Sequence, residues 1–271
     1  MIGVFDSGFG GLTILKELQK SLPEYDFVYL GDNARAPYGA RSFETIYSYT
    51  LQAVQALFDL GCPLVILACN TVSAKALRTI QQNDLPKIAP QNRVLGIVRP
   101  TAECIGEFSE SGHVGIFATP GTVSSESYLM EISHFSPNLV VSQQACPFWV
   151  PLVENGELDS LGTEFFIKRD IDALFAKDPA IDTVLLACTH YPLLSPVIQK
   201  FLPKGVRLIS QGEIVANKTV DYLKRHPEIE NRLQKTGKTD FWTTDTVEFF
   251  EKGAFLFGKK NISAKKLTFS Y

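Results

Sequence analysis

Two cysteines stand in the same local setting and have the chemistry of acid–base groups. Cys69 follows the apolar run 64–68, and Cys188 follows the apolar run 183–187. Each precedes polar residues and a predicted helix, and a helix N-terminus favours the thiolate form of a cysteine. Two thiols on opposite sides of one carbon could remove a proton from one face and return a proton to the other. This chemistry inverts a stereocentre and needs no cofactor.

Three further residues could assist the two thiols. Asp6 ends the first apolar run of the chain, and we expect its carboxylate beside Cys69. His190 lies two positions after Cys188, where it could move protons together with Glu154. The position that corresponds to Asp6 in the second half is an alanine, so the predicted assistance is asymmetric. Taken singly, each cysteine could be a small core residue and Glu154 an ordinary exposed carboxylate.

The other three cysteines are predicted to be core or loop residues. They are Cys62, Cys104 and Cys146, and no pair among the five cysteines has the C-x-x-C spacing of zinc or redox sites. The odd number and the wide spacing also argue against a disulfide framework. We therefore predict no metal site and no disulfide.

Two polar loops are candidates for substrate binding. The glycine-rich run 6–13 matches a dinucleotide fingerprint only in part, because the third glycine would fall at Thr13. Its backbone N–H groups could cradle a carboxylate, or its glycines could simply serve a tight turn. The loop 31–41 is long and polar, and it could supply Tyr38 and Gly39 to a site.

Apolar runs alternate with segments of helical periodicity along most of the chain. The predicted strands are 2–5, 27–30, 64–68, 94–98, 114–118, 139–141, 183–187 and 206–209. A long helix is predicted from Phe43 to Phe58, and Gly61 and Pro63 mark its end. The polar segment 226–238 is predicted to be a loop or a short helix. Continuous apolar strands between helices indicate mostly parallel sheets with helices on both faces.

The chain also repeats itself weakly. Residues 3–7 correspond to 115–119, 36–38 to 146–148 and 67–71 to 186–190, at offsets of 112, 110 and 119. Three matches in the same order favour duplication over chance similarity between α/β strands. We predict an α/β fold of two pseudo-symmetric domains with the active site in the cleft between them. Residues 1–96 plus 209–271 would form the first domain and 97–208 the second.

Composition and charge narrow the class of protein. The 271 residues are 45% hydrophobic and 20% charged, which is typical of a globular chain, and the net charge is −3. No broad basic field is available for nucleic acid or an anionic membrane, and no apolar run approaches the length of a membrane span. Residues 2–6 look like a core strand, which argues against a signal peptide. We predict a soluble, cytoplasmic protein.

Over essentially its full length the chain resembles the glutamate racemases of the cofactor-independent aspartate/glutamate racemase family. The matching stretches are 5–12, 31–35, 37–39, 68–71, 150–154 and 188–192. Each stretch is only suggestive alone, but together, in order and at compatible spacing, they are highly specific.

The resemblance implies a reaction, a mechanism and a set of site residues. It implies interconversion of L- and D-glutamate, without metal, pyridoxal phosphate or nicotinamide, to supply D-glutamate for peptidoglycan. Cys69 and Cys188 would be the opposed bases, with Asp6 beside the first and with Glu154 and His190 beside the second. Cys69 would deprotonate D-glutamate, and Cys188 would deprotonate L-glutamate. The implied substrate contacts are Ser7, the backbone of Tyr38 and Gly39, and Asn70, Thr71, Thr119, Thr122 and Thr189.

The resemblance also raises questions of assembly and regulation. Family members are commonly homodimers, and some inhibit DNA gyrase or bind a peptidoglycan precursor as an activator. No residue of this chain decides the last two properties. Glu126 stands where asparagine is common in relatives, and Arg99 replaces a residue that is often acidic, amide or apolar. Neither residue is a proton-transfer group.

Three alternative functions remain open at the level of sequence. A racemase of aspartate or another small acidic amino acid would use the same paired thiols, since one methylene changes binding by only ~1–3 kcal/mol. A thiol hydrolase could use Cys188, His190 and Glu154, but it would leave Cys69 and Asp6 without a role. A non-catalytic amino-acid sensor would have no reason to keep both thiols and their helpers.

Overall fold

The computed structural model describes residues 1–259 and 262–269. Residues 260, 261, 270 and 271 of the predicted first domain lie outside the described residues. The strands are β1 (Ile2–Asp6), β2 (Phe27–Gly31), β3 (Leu64–Leu67), β4 (Arg93–Gly96), β5 (His113–Ala118), β6 (Val140–Ala145), β7 (Thr183–Ala187), β8 (Arg207–Ser210), β9 (Thr239–Thr243) and β10 (Ala264–Lys266).

Helices cover the connections between these strands. They are α1 (Leu12–Ser21), α2 (Phe43–Asp59), α3 (Asn70–Lys75), α4 (Leu77–Thr79), α5 (Leu85–Ile88), α6 (Val98–Ala102), α7 (Pro120–Ser124), α8 (Ser127–Phe135), α9 (Trp149–Glu154), α10 (Leu161–Lys177), α11 (Ser195–Phe201), α12 (Gln211–Arg225), α13 (Pro227–Glu230) and α14 (Val247–Leu256). Short 3₁₀ segments span Asn33–Arg35, Ile105–Phe108 and Tyr191–Leu194, and a π-helical turn spans Ile80–Asp84. No helix in the described ranges is long and apolar enough to cross a membrane.

The strands form two sheets whose neighbouring strands all run parallel. The first sheet has the order β10-β9-β2-β1-β3-β4, and the second has the order β6-β5-β7-β8. The order β2-β1-β3-β4 is therefore repeated as β6-β5-β7-β8. The register of the strands agrees as well, because Gly3 pairs with Val65 in the first sheet and Gly115 pairs with Val184 in the second. Gly115 corresponds to Gly3 at the offset of 112, and Val184 corresponds to Val65 at the offset of 119, as in the sequence repeat. The predicted two-domain α/β fold is confirmed.

Most of the predicted elements form, with shifts at their ends. All eight predicted strands are present, although the fourth ends at Gly96, since Val98 already begins α6. Helix α2 begins at Phe43 and ends at Asp59, and Gly61 follows it with a φ of 84°. The sequence analysis missed β9 and β10, which extend the first sheet beyond β2.

The chain crosses between the two sheets twice. It leaves the first sheet after β4 through α6, and it returns after β8 through α12, which packs against both α1 and α6. The division at 96/97 and 208/209 stays a prediction. Because β8 belongs to the second sheet and ends at Ser210, we propose that the second boundary lies directly after that residue.

Candidate active site

A small cavity lies between the two domains at the carboxyl ends of their central strands. Its volume is about 140 Å³, and both Cys69 and Cys188 line it. Two larger grooves of about 830 and 960 Å³ do not contain both cysteines. In parallel α/β sheets, ligands bind where strands end and loops enter helices, so the small cavity is the candidate site.

Most of the predicted site residues line this cavity. They are Ser7, Tyr38, Gly39, Cys69, Asn70, Thr71, Thr119, Glu154, Cys188, Thr189 and His190. The two that do not line it, Asp6 and Thr122, are buried next to residues that do. The fold therefore brings together residues that are up to 184 positions apart in the sequence.

Cys69 lies in an environment that favours its thiol form. Its Sγ is 3.5 Å from Ser7 Oγ, and α3 begins at the next residue. Burial raises the pKa of Cys69 to about 12, and the nearby Asp6 carboxylate adds to the rise. The expectation that the helix N-terminus favours a Cys69 thiolate is therefore wrong, because desolvation outweighs the helix dipole.

Asp6 is positioned by the glycine-rich turn that follows it. The backbone N–H of Gly8 donates to Asp6 Oδ1 at 2.8 Å, whereas Oδ2 is buried with no partner among residues 1–259 and 262–269. Burial raises the pKa of Asp6. A Cβ on Gly11 would lie 2.6 Å from Asp6 Cβ, so this close approach requires glycine. The carboxylate that the turn cradles is thus that of Asp6 itself.

Cys188 has different partners. Its Sγ lies 3.9 Å from His190 Nδ1, and His190 Nε2 lies 3.0 Å from Glu154 Oε1 at the end of α9. Burial alone would lower the pKa of His190, but its hydrogen bonds to Cys188 and Glu154 outweigh burial and raise that pKa to about 10. His190 is therefore a cation at neutral pH, and its charge lies next to the Cys188 sulfur.

The segment after Cys188 differs from the predicted helix start. A 3₁₀ turn at Tyr191–Leu194 follows it, and α11 begins only at Ser195.

Hydroxyl groups from both domains meet on one wall of the cavity. Thr71 Oγ1 is 2.9 Å from Thr119 Oγ1 and 3.3 Å from Thr122 Oγ1, and the latter two are 3.1 Å apart. These neutral groups suit a ligand that carries carboxylates.

The loop 31–41 reaches the cavity as predicted, and Asp32 holds it in place. The Tyr38 hydroxyl donates to Asp32 Oδ2, and Arg35 forms a 2.7 Å ion pair with the same carboxylate. Burial and Asp32 raise the pKa of Tyr38, so its hydroxyl stays a donor. The sequence analysis did not single out Asp32 as a site residue, because a charged residue in a polar loop is usually solvated.

The remaining cysteines are free and buried. Cys62 belongs to the core of the first domain, and Cys104 is buried beside α6. Cys146 is buried as predicted, but it also lines the cavity. Arg99 lies on α6 at the 830 Å³ groove, where it pairs with Glu103 at 3.4 Å.

Comparison with known proteins places the chain in a family. The family model described as Asp/Glu/Hydantoin racemase matches residues 12–219. The glutamate racemase of Roseobacter denitrificans is 43% identical over 90% of this chain and 91% of its own length. That of Ruegeria pomeroyi is 39% identical over 97% and 98%.

Solved structures give the same result. A glutamate racemase isoform from Bacillus anthracis has a TM-score of 0.88 at 32% identity, covering 99% of this chain and 97% of that one. The Francisella tularensis glutamate racemase in complex with D-glutamate has a TM-score of 0.86 at 30% identity, with the same coverage. The chain belongs to the Asp/Glu/Hydantoin racemase family.

Proposed function

We propose that this protein interconverts L- and D-glutamate by a two-base mechanism that uses Cys69 and Cys188. The observation that carries the proposal is that both thiols line one small interdomain cavity, each beside its own proton partner. Relatives that are 37–43% identical over most of the chain are named glutamate racemase. A structural relative is complexed with D-glutamate.

The proton moves through the site in a balanced sequence. For D-glutamate, Asp6 accepts the thiol proton of Cys69, and the resulting thiolate removes the Cα proton. The electron pair of the broken C–H bond stays on Cα and is delocalised into the adjacent carboxylate. The thiol of Cys188 then donates its proton to the opposite face, and the charged His190, supported by Glu154, replenishes it. One turnover leaves the proton on Asp6 and His190 neutral; from that form L-glutamate reacts by the same steps in reverse, and proton exchange with water interconverts the two forms of the site.

The substrate carboxylates would be held by neutral donors. The groups involved are Ser7, Asn70, Thr71, Thr119, Thr122, Thr189 and the backbone of Tyr38 and Gly39. Those donors that contact the α-carboxylate would also stabilise the charge that grows on it, and they need no reorganisation because they are fixed before the reaction. Glutamate is the proposed substrate because of the named relatives, and aspartate is the competing one.

The test is a polarimetric and NMR assay with D-glutamate in D₂O, without added cofactor. We expect optical rotation to decay to zero while deuterium enters Cα. Cys69→Ser and Cys188→Ser should each slow racemisation by at least about a hundredfold, since positioned acid–base groups contribute ~10²–10⁴-fold. The control is Cys62→Ser, because Cys62 is buried in the first core and does not line the cavity.

Other outcomes would change the assignment. Turnover of D-aspartate but not D-glutamate would keep the mechanism and change the substrate. Full activity of Cys69→Ser would contradict the two-base mechanism. An acyl-enzyme on Cys188 with a carboxylic ester or amide would indicate a hydrolase.

The proposal extends to the role and assembly of the protein. A cytoplasmic enzyme of this kind would supply D-glutamate for peptidoglycan, and we propose that it acts as a homodimer. Sedimentation equilibrium of the reduced protein should then give twice the mass of one chain, and a monomer mass would contradict this part of the proposal.

A further inference from the structure

Three buried side chains from three different elements close a ring of hydrogen bonds beside the cavity. Asn70 Nδ2 donates to Gln211 Oε1 at 2.7 Å, and Gln211 Nε2 donates to the Tyr128 hydroxyl at 2.5 Å. The Tyr128 hydroxyl donates to Asn70 Oδ1 at 2.6 Å. Each member thus donates once and accepts once around the ring, and hydrogen bonds arranged in this way strengthen one another.

The ring is anchored to the crossover between the domains. Gln211 Nε2 also lies 2.9 Å from Thr101 Oγ1 and 3.3 Å from the carbonyl of Ile97, both at α6. Asn70 begins α3 of the first domain, Tyr128 lies on α8 of the second, and Gln211 begins α12, where the chain returns. The ring closes only when the two domains are correctly placed.

The Ile97 carbonyl can only accept, so it fixes the orientation of the Gln211 amide, and the ring then permits one orientation of the Asn70 amide. Exchanging its oxygen and nitrogen would set Oδ1 against Gln211 Oε1 and the amide N–H against the Tyr128 O–H. Each buried group left unpaired costs ~1–3 kcal/mol. Burial raises the pKa of Tyr128, so its hydroxyl stays protonated and able to donate.

The fixed amide keeps one N–H group that is not used by the ring. Asn70 follows Cys69 directly and lines the cavity. Its Nδ2 carries two hydrogens, and the bond to Gln211 is the only one that Nδ2 donates within residues 1–259 and 262–269. The second N–H is therefore available to a substrate oxygen.

We propose that Gln211 and Tyr128 are positioning residues that orient the Asn70 amide for binding a substrate carboxylate. This role rests on the proposed function, and it goes beyond it by naming two residues that do not line the small cavity. A ring that served only to join the domains would affect stability without acting through Asn70. The two interpretations therefore differ in a measurable way.

The experiment is a double-mutant cycle between Gln211 and Asn70, read in KM and kcat for D-glutamate. Gln211→Met keeps the length of the side chain and removes its polar atoms. We expect KM to rise about five- to tenfold with kcat within about threefold, because an interaction equal in the ground and transition states changes KM alone. In the Asn70→Ala background, Gln211→Met should have almost no further effect on KM.

Two further variants make the test decisive. Tyr128→Phe removes the second ring partner and should repeat the result in both backgrounds, so it replaces Gln211→Met if that variant fails to fold. Thr219→Val is the matched control, because Thr219 is buried on α12 and its hydroxyl donates, within the described part of the chain, only to the carbonyl of Val215. It should lower the melting temperature and leave KM unchanged.

The outcomes separate this inference from the proposed function. If the wild type racemises glutamate but Gln211→Met raises KM by the same factor with and without Asn70, or only lowers stability, the positioning role is wrong and the function stands. A wild type that neither binds nor racemises glutamate or aspartate overturns both.

Discussion

At the scale of single residues, the proposed mechanism gives the two thiols mirror-image steps in different surroundings. Burial and Asp6 keep Cys69 protonated, with its pKa raised to about 12, whereas Cys188 lies beside a charged His190. Glu154 is essential to this difference because its hydrogen bond helps to hold the proton on His190. We therefore expect the two sides of the reaction to respond separately to substitution.

Substitution of Glu154 by glutamine should slow the step at Cys188 alone. Because the equilibrium constant of a racemisation is one, kcat/KM must fall equally for both enantiomers, here by about ten- to a hundredfold. The α-deuterium isotope effect on kcat/KM should grow with L-glutamate, whose proton Cys188 removes in the proposed mechanism, and shrink with D-glutamate. Kinetics with α-deuterated enantiomers measure both effects.

The mirror-image control is Asp6→Asn, which weakens the step at Cys69. It should enlarge the isotope effect with D-glutamate and reduce that with L-glutamate. If the two variants moved the isotope effects in the same direction, the assignment of one thiol to each enantiomer would fail.

At the scale of secondary-structure elements, the junction between α7 and α8 stores backbone strain. Glu126 has a φ of 54° and is the one non-glycine residue with positive φ in the described part of the chain. Asparagine tolerates this left-handed conformation better than glutamate does. Helix α8 carries Tyr128, so the strained junction positions a member of the hydrogen-bonded ring.

Replacing Glu126 with asparagine should stabilise the protein. We expect the free energy of unfolding to rise by ~0.5–1 kcal/mol, because asparagine relieves strain in the folded state. Urea denaturation monitored by circular dichroism measures this change. Glu126→Ala removes the same carboxylate without favouring positive φ, so equal stabilisation by alanine would assign the effect to charge instead.

At the scale of the whole molecule, the cavity belongs to neither domain alone. Cys69, Asn70 and Thr71 come from the first sheet's side, and Thr119 and Cys188 come from the second. A bound substrate would therefore bridge both domains and stabilise them as one unit. The repeated strand order is what places the two cysteine-bearing loops face to face.

This bridging predicts the response of thermal unfolding to ligand. In Cys188→Ser, where we expect slow turnover, D-glutamate at a hundred times its Kd should stabilise the whole chain by ~2.7 kcal/mol. Calorimetry should show a single transition that moves to higher temperature, and D-lysine should leave it in place. Two transitions of which only one responds would confine the site to one domain.

The sequence by itself was sufficient to predict the alternation of strands and helices, the internal repeat and the pairing of two cysteine-bearing loops. These features depend on local apolar patterns and on short polar motifs that directly follow strands. Strands β1, β2 and β3 are buried along their whole length, so each appears as a continuous apolar run. Strand β9 is only half-buried and begins with polar residues, so it has no continuous apolar run by which the sequence analysis could recognise it.

Only the tertiary structure decided the electrostatics of the site and its supporting contacts. The pKa of Cys69 rises because packing removes water from the thiol, and that desolvation has no counterpart in the local sequence. Gln211 meets Asn70 across 141 positions, at the start of a helix whose sequence resembles any amphipathic surface helix. Hydrogen bonds between distant residues depend on how the two domains are placed, and that placement results from the packing of the whole chain.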